Sequence, residues 1–232
     1  MPAKATAEPT DPAVVDQWDG GVGWIAHPEE TMKRASHALA TEEGVWLVDP
    51  LYAPGVDDLL ADVGEVAGVI LLSNYHLRDA DGFAERHDVP VTLPAPMTGV
   101  EDRLAAPVDR LAVGATIGEY ELFTVAHSTW WQEYGLDDGG TLVVGESVGT
   151  AEYIRTGDET LGVMLLRRLT PPRAALAGRD PDRVLTGHGP GLHEDAGGAL
   201  EEALRTARRR FPRAVLENGT RQLRTVIAAV RT

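Results

Sequence analysis

Residues 74–81, NYHLRDAD, place an amide, a phenol, an imidazole, a guanidinium and two carboxylates in one short stretch, more functional variety than a connection between elements needs. Three further polar clusters follow strand-forming runs: Ala126-His127-Ser128, Gly145-Glu146-Ser147 and Gly187-His188-Gly189. Imidazoles and carboxylates move protons and hold divalent cations, and a guanidinium among them attracts anions. The chain has no cysteine, so a thiolate nucleophile and a thiolate ligand are both excluded, and any metal must be held by histidine and carboxylate.

Each cluster needs an element to position it. Residues 69–73 (VILLS) read as a strand buried on both faces, and the loop after them lies where open α/β sheets keep their sites. Upstream, residues 18–27 form an opening hairpin, and residues 36–40 and 45–49 a second one that leaves Asp49 at a strand end before Pro50. Pro54-Gly55 opens a helix through Val63, residues 79–87 form the helix after the polar loop, and residues 89–93 the next strand. Strand, helix, strand, helix in that order argues for parallel crossovers. Residues 108–114 and 117–125 give two strands, the second leading to His127, and the turn at residues 137–140 (DDGG) leads into a strand over 141–144. Asp158 caps a predicted helix to Leu169, Pro171-Pro172 restarts a short one that Gly178 ends, and residues 183–186 form the last strand. Asp195 caps a helix through Arg210, and Leu223, Val226, Ile227 and Val230 mark an amphipathic terminal helix. Residues 1–15 are expected to fray, within a single domain over residues 1–232.

A buried strand ending in T-H-x-H-x-D-H-x-G-G is the first metal motif of the metallo-β-lactamase superfamily, and SNYHLRDADG resembles it with substitutions. Ser73 stands at the Thr, Asn74 at the first His, His76 at the second, Arg78 at the Asp and Asp79 at the last His. The tripeptide at His127 is similar to the P-G-H-[ST] strand end, Glu146 stands at the bridging Asp of G-D-x, and His188 at the last ligand. Asp49 matches a structural Asp beneath the metal loop, a simple strand-end cap being the other reading. The resemblance covers about residues 18–210 and implies an α/β four-layer αβ/βα sandwich, two mixed sheets face to face with helices outside.

The resemblance implies two metal positions, one at Asn74, His76 and His127 and one at Arg78, Asp79 and His188, with Glu146 between. A guanidinium about 4 Å from a cation costs about 4 kcal/mol per unit of charge at an effective dielectric near 20, so Arg78 argues against a dinuclear centre. What remains is a single zinc, iron or manganese on His76, His127, Glu146 and His188, with Asp79 as the candidate catalytic carboxylate. The alternative is a metal-free network in which Arg78 pairs with Asp79, Glu146 or Asp81. Asn74, Arg78, Trp130 and Trp131 are the candidate ligand-binding residues. Two functions follow: a diverged, hydrolase-like protein that binds a small anionic metabolite with at most one metal, or an active metal-dependent hydrolase of an ester, thioester or lactone, similar to glyoxalase-II-like or lactonase-like members.

A net charge of -15 and a pI near 4.8 argue against nucleic-acid and anionic-membrane partners, because phosphate binding draws on clustered cations. No apolar run reaches the length of a membrane span or a signal peptide, so a cytoplasmic location is expected; the oligomeric state is not readable. Lys4 and Lys33 are the only lysines beside 19 arginines and 36 acidic residues, a balance that resembles proteins of halophiles and also suits a GC-rich genome. Raising KCl from about 0.1 M to about 1 M shortens the Debye length from about 10 Å to about 3 Å. The melting temperature is therefore expected to rise over that range; a flat or falling midpoint in a thermal scan would refute the halophilic reading.

Overall fold

Alternating aliphatic residues and glycine turns build two sheets. The first has seven strands in spatial order: β1 (Ala13–Trp18), β2 (Gly21–Ile25), β3 (Ala35–Thr41), β4 (Gly44–Val48), β5 (Val66–Ile70), β6 (Val91–Pro94) and β7 (Val108–Leu111). Pairing is antiparallel from β1 to β4 and parallel from β4 to β7. The parallel connections carry the helices α1 (Val56–Ala61) and α2 (Ala80–His87), as crossovers require. In the second sheet β8 (Thr116–Ile117), β9 (Tyr120–His127), β10 (Gln132–Asp137) and β11 (Thr141–Val144) run antiparallel in sequence. A small ribbon, β12 (Val148–Gly149) with β13 (Gly162–Val163), and α3 (Arg173–Leu176) precede β14 (Arg183–Thr186), which pairs parallel to β11. α4 (Ala196–Val230) ends the chain. The computed structural model describes residues 2–5, 9 and 11–230, with side chains through residue 222.

The period of two places apolar residues on both faces of the second sheet. Leu122, Val143 and Leu185 of the second sheet share one buried cluster with Trp24, Leu39, Leu47, Val69 and Ile70 of the first. Their neighbours Phe123, Leu142, Val144 and Val184 pack outward with Leu176 of α3 and Leu200, Ala203 and Leu204 of α4. On the far side, Val56 and Leu60 of α1 and Phe83 of α2 cover the first sheet. The result is helix, sheet, sheet, helix, the four-layer sandwich expected from the sequence.

Several local expectations are corrected. No helix runs from Asp158 to Leu169: Gly157 has φ 62°, Thr156 turns back to Glu159, and Val163 pairs with Val148. Helical spacing of Leu161, Met164 and Leu165 is overridden there by a buried Arg168–Glu159 ion pair at 2.6 Å. The two terminal helices are one, continuous through Pro212, and the side chains of Leu223, Val226, Ile227 and Val230 lie outside the described residues. The N-terminal segment is not frayed throughout. Residues 13–15 belong to β1, and Pro2 and Ala3 carbonyls accept hydrogen bonds from Thr31 and Met32. No helix among the described residues is long and apolar enough to cross a membrane.

Candidate metal and anion site

Three strand ends meet at one place. β5 leads to the loop that bears His76, while β11 and β14, paired Val144 to Thr186, each extend two residues further to Glu146 and His188. The approach is close: a Cβ at Gly187 would stand 2.3 Å from the Gly145 carbonyl oxygen and 2.8 Å from the His76 ring, so only glycine fits there.

His76, Glu146 and His188 are buried, and one ligand atom from each lies within 4.8 Å of the others. Each imidazole is oriented from behind. His76 Nδ1 donates to Asp49 Oδ2 at 2.7 Å, and His188 Nδ1 donates to the Met32 carbonyl at 2.9 Å. This directs both Nε2 atoms inward, the arrangement that metal-binding histidines use to fix their tautomer. His76 Nε2 lies 2.6 Å from Glu146 Oε1, and His188 Nε2 3.5 Å from Oε2, yet neither ring nitrogen has a hydrogen-bond partner. The oxygens lie off the N–H directions, so the three groups converge without pairing properly. Burial pushes the Glu146 carboxyl up, but the charges of His76 and His188 outweigh it and hold it far below the usual range. Burial and Arg78 pull His76 down, while Asp49 and Glu146 carry it above its ordinary value.

Asp49 and Arg78 both sit at positive φ, 47° and 46°, conformations that cost about 1–3 kcal/mol each and persist only where surroundings impose them. Asp49 Oδ1 accepts from the Leu72 amide at 2.9 Å, so it holds the end of β5 as well as His76. Arg78 is turned inward beneath the cluster. It donates to the Ala35, Asp49 and Gly187 carbonyls and to Ser36 Oγ. The expected pairing of Arg78 with Asp79, Glu146 or Asp81 is therefore corrected, because three backbone carbonyls take its protons. A cavity of about 470 Å³ opens above, lined by Lys4, Arg34, Arg78, Arg103, Tyr75 and the cluster itself.

The other predicted site residues lie elsewhere. His127 continues the β9 ladder, paired with Gln132, and is exposed with Nδ1 2.9 Å from the Tyr134 hydroxyl; it does not join the three. Asp79 is committed to the Tyr52 amide at 2.8 Å, and Asn74 to the Gln132 amide at 2.9 Å, so neither faces the cluster. Trp131 is in a small core with Tyr153, Ile154 and Met164, and Trp130 is exposed.

Glu133 is a site residue that the sequence pattern does not announce. It is fully buried, and its Oε1 accepts from the Glu146 and Ser147 amides at 2.9 and 2.8 Å, while Oε2 accepts from Ser147 Oγ and Trp131 Nε1. Its backbone also bridges Ser73. The signal available was a Glu between Trp131-Gln132 and Tyr134 in a strand with no cation nearby.

A further clamp stands behind His188. Buried Asp16 accepts from the Gly191 amide at 2.7 Å and contacts His193 Nε2 at 3.0 Å and His37 Nε2 at 3.3 Å. Burial raises its carboxyl, but these bonds outweigh it and the net shift is downward. A carboxylate depressed in the folded state adds stability that is present above its unfolded pKa, about 3.9, and is lost as pH falls through the folded value. Asp16→Asn is accordingly expected to cost about 1–3 kcal/mol at neutral pH and to flatten the acid limb of a stability-against-pH curve below about pH 4.

No protein-family model and none of the curated proteins matches the chain. Solved structures do. FIM-1 metallo-β-lactamase from Pseudomonas aeruginosa, in a mono-zinc form, superposes with TM-score 0.61 at 11% identity over 88% of this chain and 99% of that one. The chain has the metallo-β-lactamase fold. A metallo-β-lactamase from Pontibacter korlensis gives 0.58 at 16% identity over 84% and 99% of the two chains. The rubredoxin oxygen:oxidoreductase of Desulfovibrio gigas gives 0.63 at 11% identity over 86% of this chain and 62% of that one. On the metallo-β-lactamase fold, the cluster occupies the strand ends at which the sequence motif was recognised.

Proposed function

We propose that this metallo-β-lactamase-fold protein holds one divalent metal, zinc by preference, on His76, Glu146 and His188, and binds a small anionic ligand in the cavity above it. The observation that carries the reading is the pair of buried, unpartnered Nε2 atoms facing one carboxylate, each ring fixed through its other nitrogen. Two imidazoles and a carboxylate are a donor set that zinc accepts. The mono-zinc form of FIM-1 supports a single ion on this fold. The second position does not fit a metal, since Arg78 fills it with a fixed positive charge bonded to backbone carbonyls. A bound zinc supplies a Lewis acid for an anionic oxygen, and Lys4, Arg34 and Arg103 around the cavity supply the long-range attraction.

Zinc measured by elemental analysis after equilibrium dialysis is expected at one per chain. His76→Ala, Glu146→Ala or His188→Ala should each lower zinc affinity at least tenfold, following the loss of one of three ligands, whereas His127→Ala should leave it unchanged. Two zinc ions per chain, or loss on His127→Ala, would overturn the assignment.

One observation favours a second reading, the hydrolase. Three protein ligands at the base of an open cavity leave a coordination position free, the pattern of catalytic rather than structural zinc sites. Turnover of thioester, ester or lactone substrates by zinc-loaded protein, abolished by Glu146→Ala, would favour it over the receptor.

A further inference from the structure

Beside the two ring nitrogens and Arg78 Nε, another unpartnered polar atom belongs to the same interior. Tyr153 is buried, its ring stands edge-on to His188 at 5.9 Å with an interplanar angle of 88°, and its hydroxyl has no hydrogen-bond partner. The charges that act on that hydroxyl are Glu146, Glu30 and Arg78, which are those of the cluster and its surroundings. One side of the ring packs with Trp131, Ile154 and Met164. Tyr153 lines a second cavity, of about 550 Å³, beside Lys33, Thr150 and Arg155, and its ring meets His188, which lines the cavity over the cluster.

A buried hydroxyl without a partner is costly, and a native chain that keeps one beside two orphaned imidazole nitrogens keeps it for something absent from the free protein. The protein's own carboxylates do not supply the partner: none bonds the Tyr153 hydroxyl, and Arg34 holds both Glu30 oxygens at 2.7 and 2.8 Å. A phenol, with an ordinary pKa of about 10, carries its proton at neutral pH, which makes it a donor and leaves an acceptor oxygen as its complement.

We infer that Tyr153 is a residue of this site, its hydroxyl the donor to an anionic oxygen of the ligand, a carboxylate or phosphate oxygen, bound over His76, Glu146 and His188. This rests on the anion-binding reading above. Tyr153→Phe removes the hydroxyl alone and keeps the ring against His188.

The experiment compares parent and Tyr153→Phe, each loaded with one zinc, in calorimetric titrations with inorganic phosphate and with acetate, and in thermal melts without metal. The variant is expected to bind zinc within about twofold of the parent, to melt at the same or a higher temperature, and to bind the tighter of the two anions about tenfold more weakly, the loss of one hydrogen bond to a charged acceptor. The tyrosine near-ultraviolet difference signal that accompanies anion binding in the parent should be missing in the variant. Equal anion affinity in the two proteins would overturn the inference and leave the anion reading standing. A melting temperature several degrees lower in the metal-free variant would overturn it too, by showing the hydroxyl bonded within the protein. A parent that takes up zinc but neither anion at millimolar concentration would overturn the anion reading itself, and this inference with it.

Discussion

Glu133→Gln is expected to lower stability by about 2–4 kcal/mol, although it only replaces one oxygen by an NH₂ group of nearly the same size. The carboxylate faces four donors: two amides, one hydroxyl and one indole N–H. A glutamine must turn its NH₂ toward one pair of them, and each buried donor left unsatisfied costs about 1–3 kcal/mol. For a chain of this size a loss of about 3 kcal/mol moves the melting temperature by about 10 °C. Because the two amides belong to Glu146 and Ser147, zinc affinity should fall as well. Guanidinium unfolding at about 1 M KCl and chelator competition measure the two effects. A change below about 1 kcal/mol with zinc affinity intact would show that Glu133 does not hold the strand end.

Arg78→Met is expected to be worse, about 3–5 kcal/mol, the range for removing one member of a buried charge network. It strands the carbonyls of Ala35, Asp49 and Gly187 and deprives the Asp49 carboxylate of the cation that acts on it. The same bonds oppose a simple repair of the metal motif. Restoring the superfamily pattern with Asn74→His, Arg78→Asp and Asp79→His ought to create a second metal position by charge alone. In this fold Asn74 holds the Gln132 amide, Arg78 three carbonyls and Asp79 the Tyr52 amide. The triple variant is therefore expected to lose its cooperative melt before it gains a metal; a folded variant with two zinc ions per chain would contradict this account of Arg78.

The architecture was legible because it rests on apolar runs and the order of strand ends. β11 (TLVV) and β14 (RVLT) lie where their patterns place them, and Glu146 and His188 follow from their parallel register. His127 misled for a physical reason: β9 does not stop before it but carries it in the ladder opposite Gln132, past a register shift between Glu133 and Tyr134. His127 is the last residue of β9, but the hairpin turn that follows leads straight back into β10 and keeps it in the ladder, with its ring on the Tyr134 hydroxyl. Glu133 and Tyr153 were invisible for the opposite reason. Each is a polar residue in an apolar context, and only the fold shows that one is satisfied by four donors and the other by none.

The register of β11 against β14 has a kinetic side. Glu146 and His188 come level because Val144 sits opposite Thr186, and Asp16 then closes on Gly191, 175 residues away in sequence. Contacts that distant must wait until most of the chain has ordered, since loop closure costs entropy before the contact repays it. A slip of one residue in β14 would turn His188 to the opposite face, so mispaired intermediates do not bring His76, Glu146 and His188 together. Metal uptake should thus report the last step of refolding rather than guide an early one, and zinc added to unfolded chain is expected to leave the main folding rate unchanged while slowing unfolding.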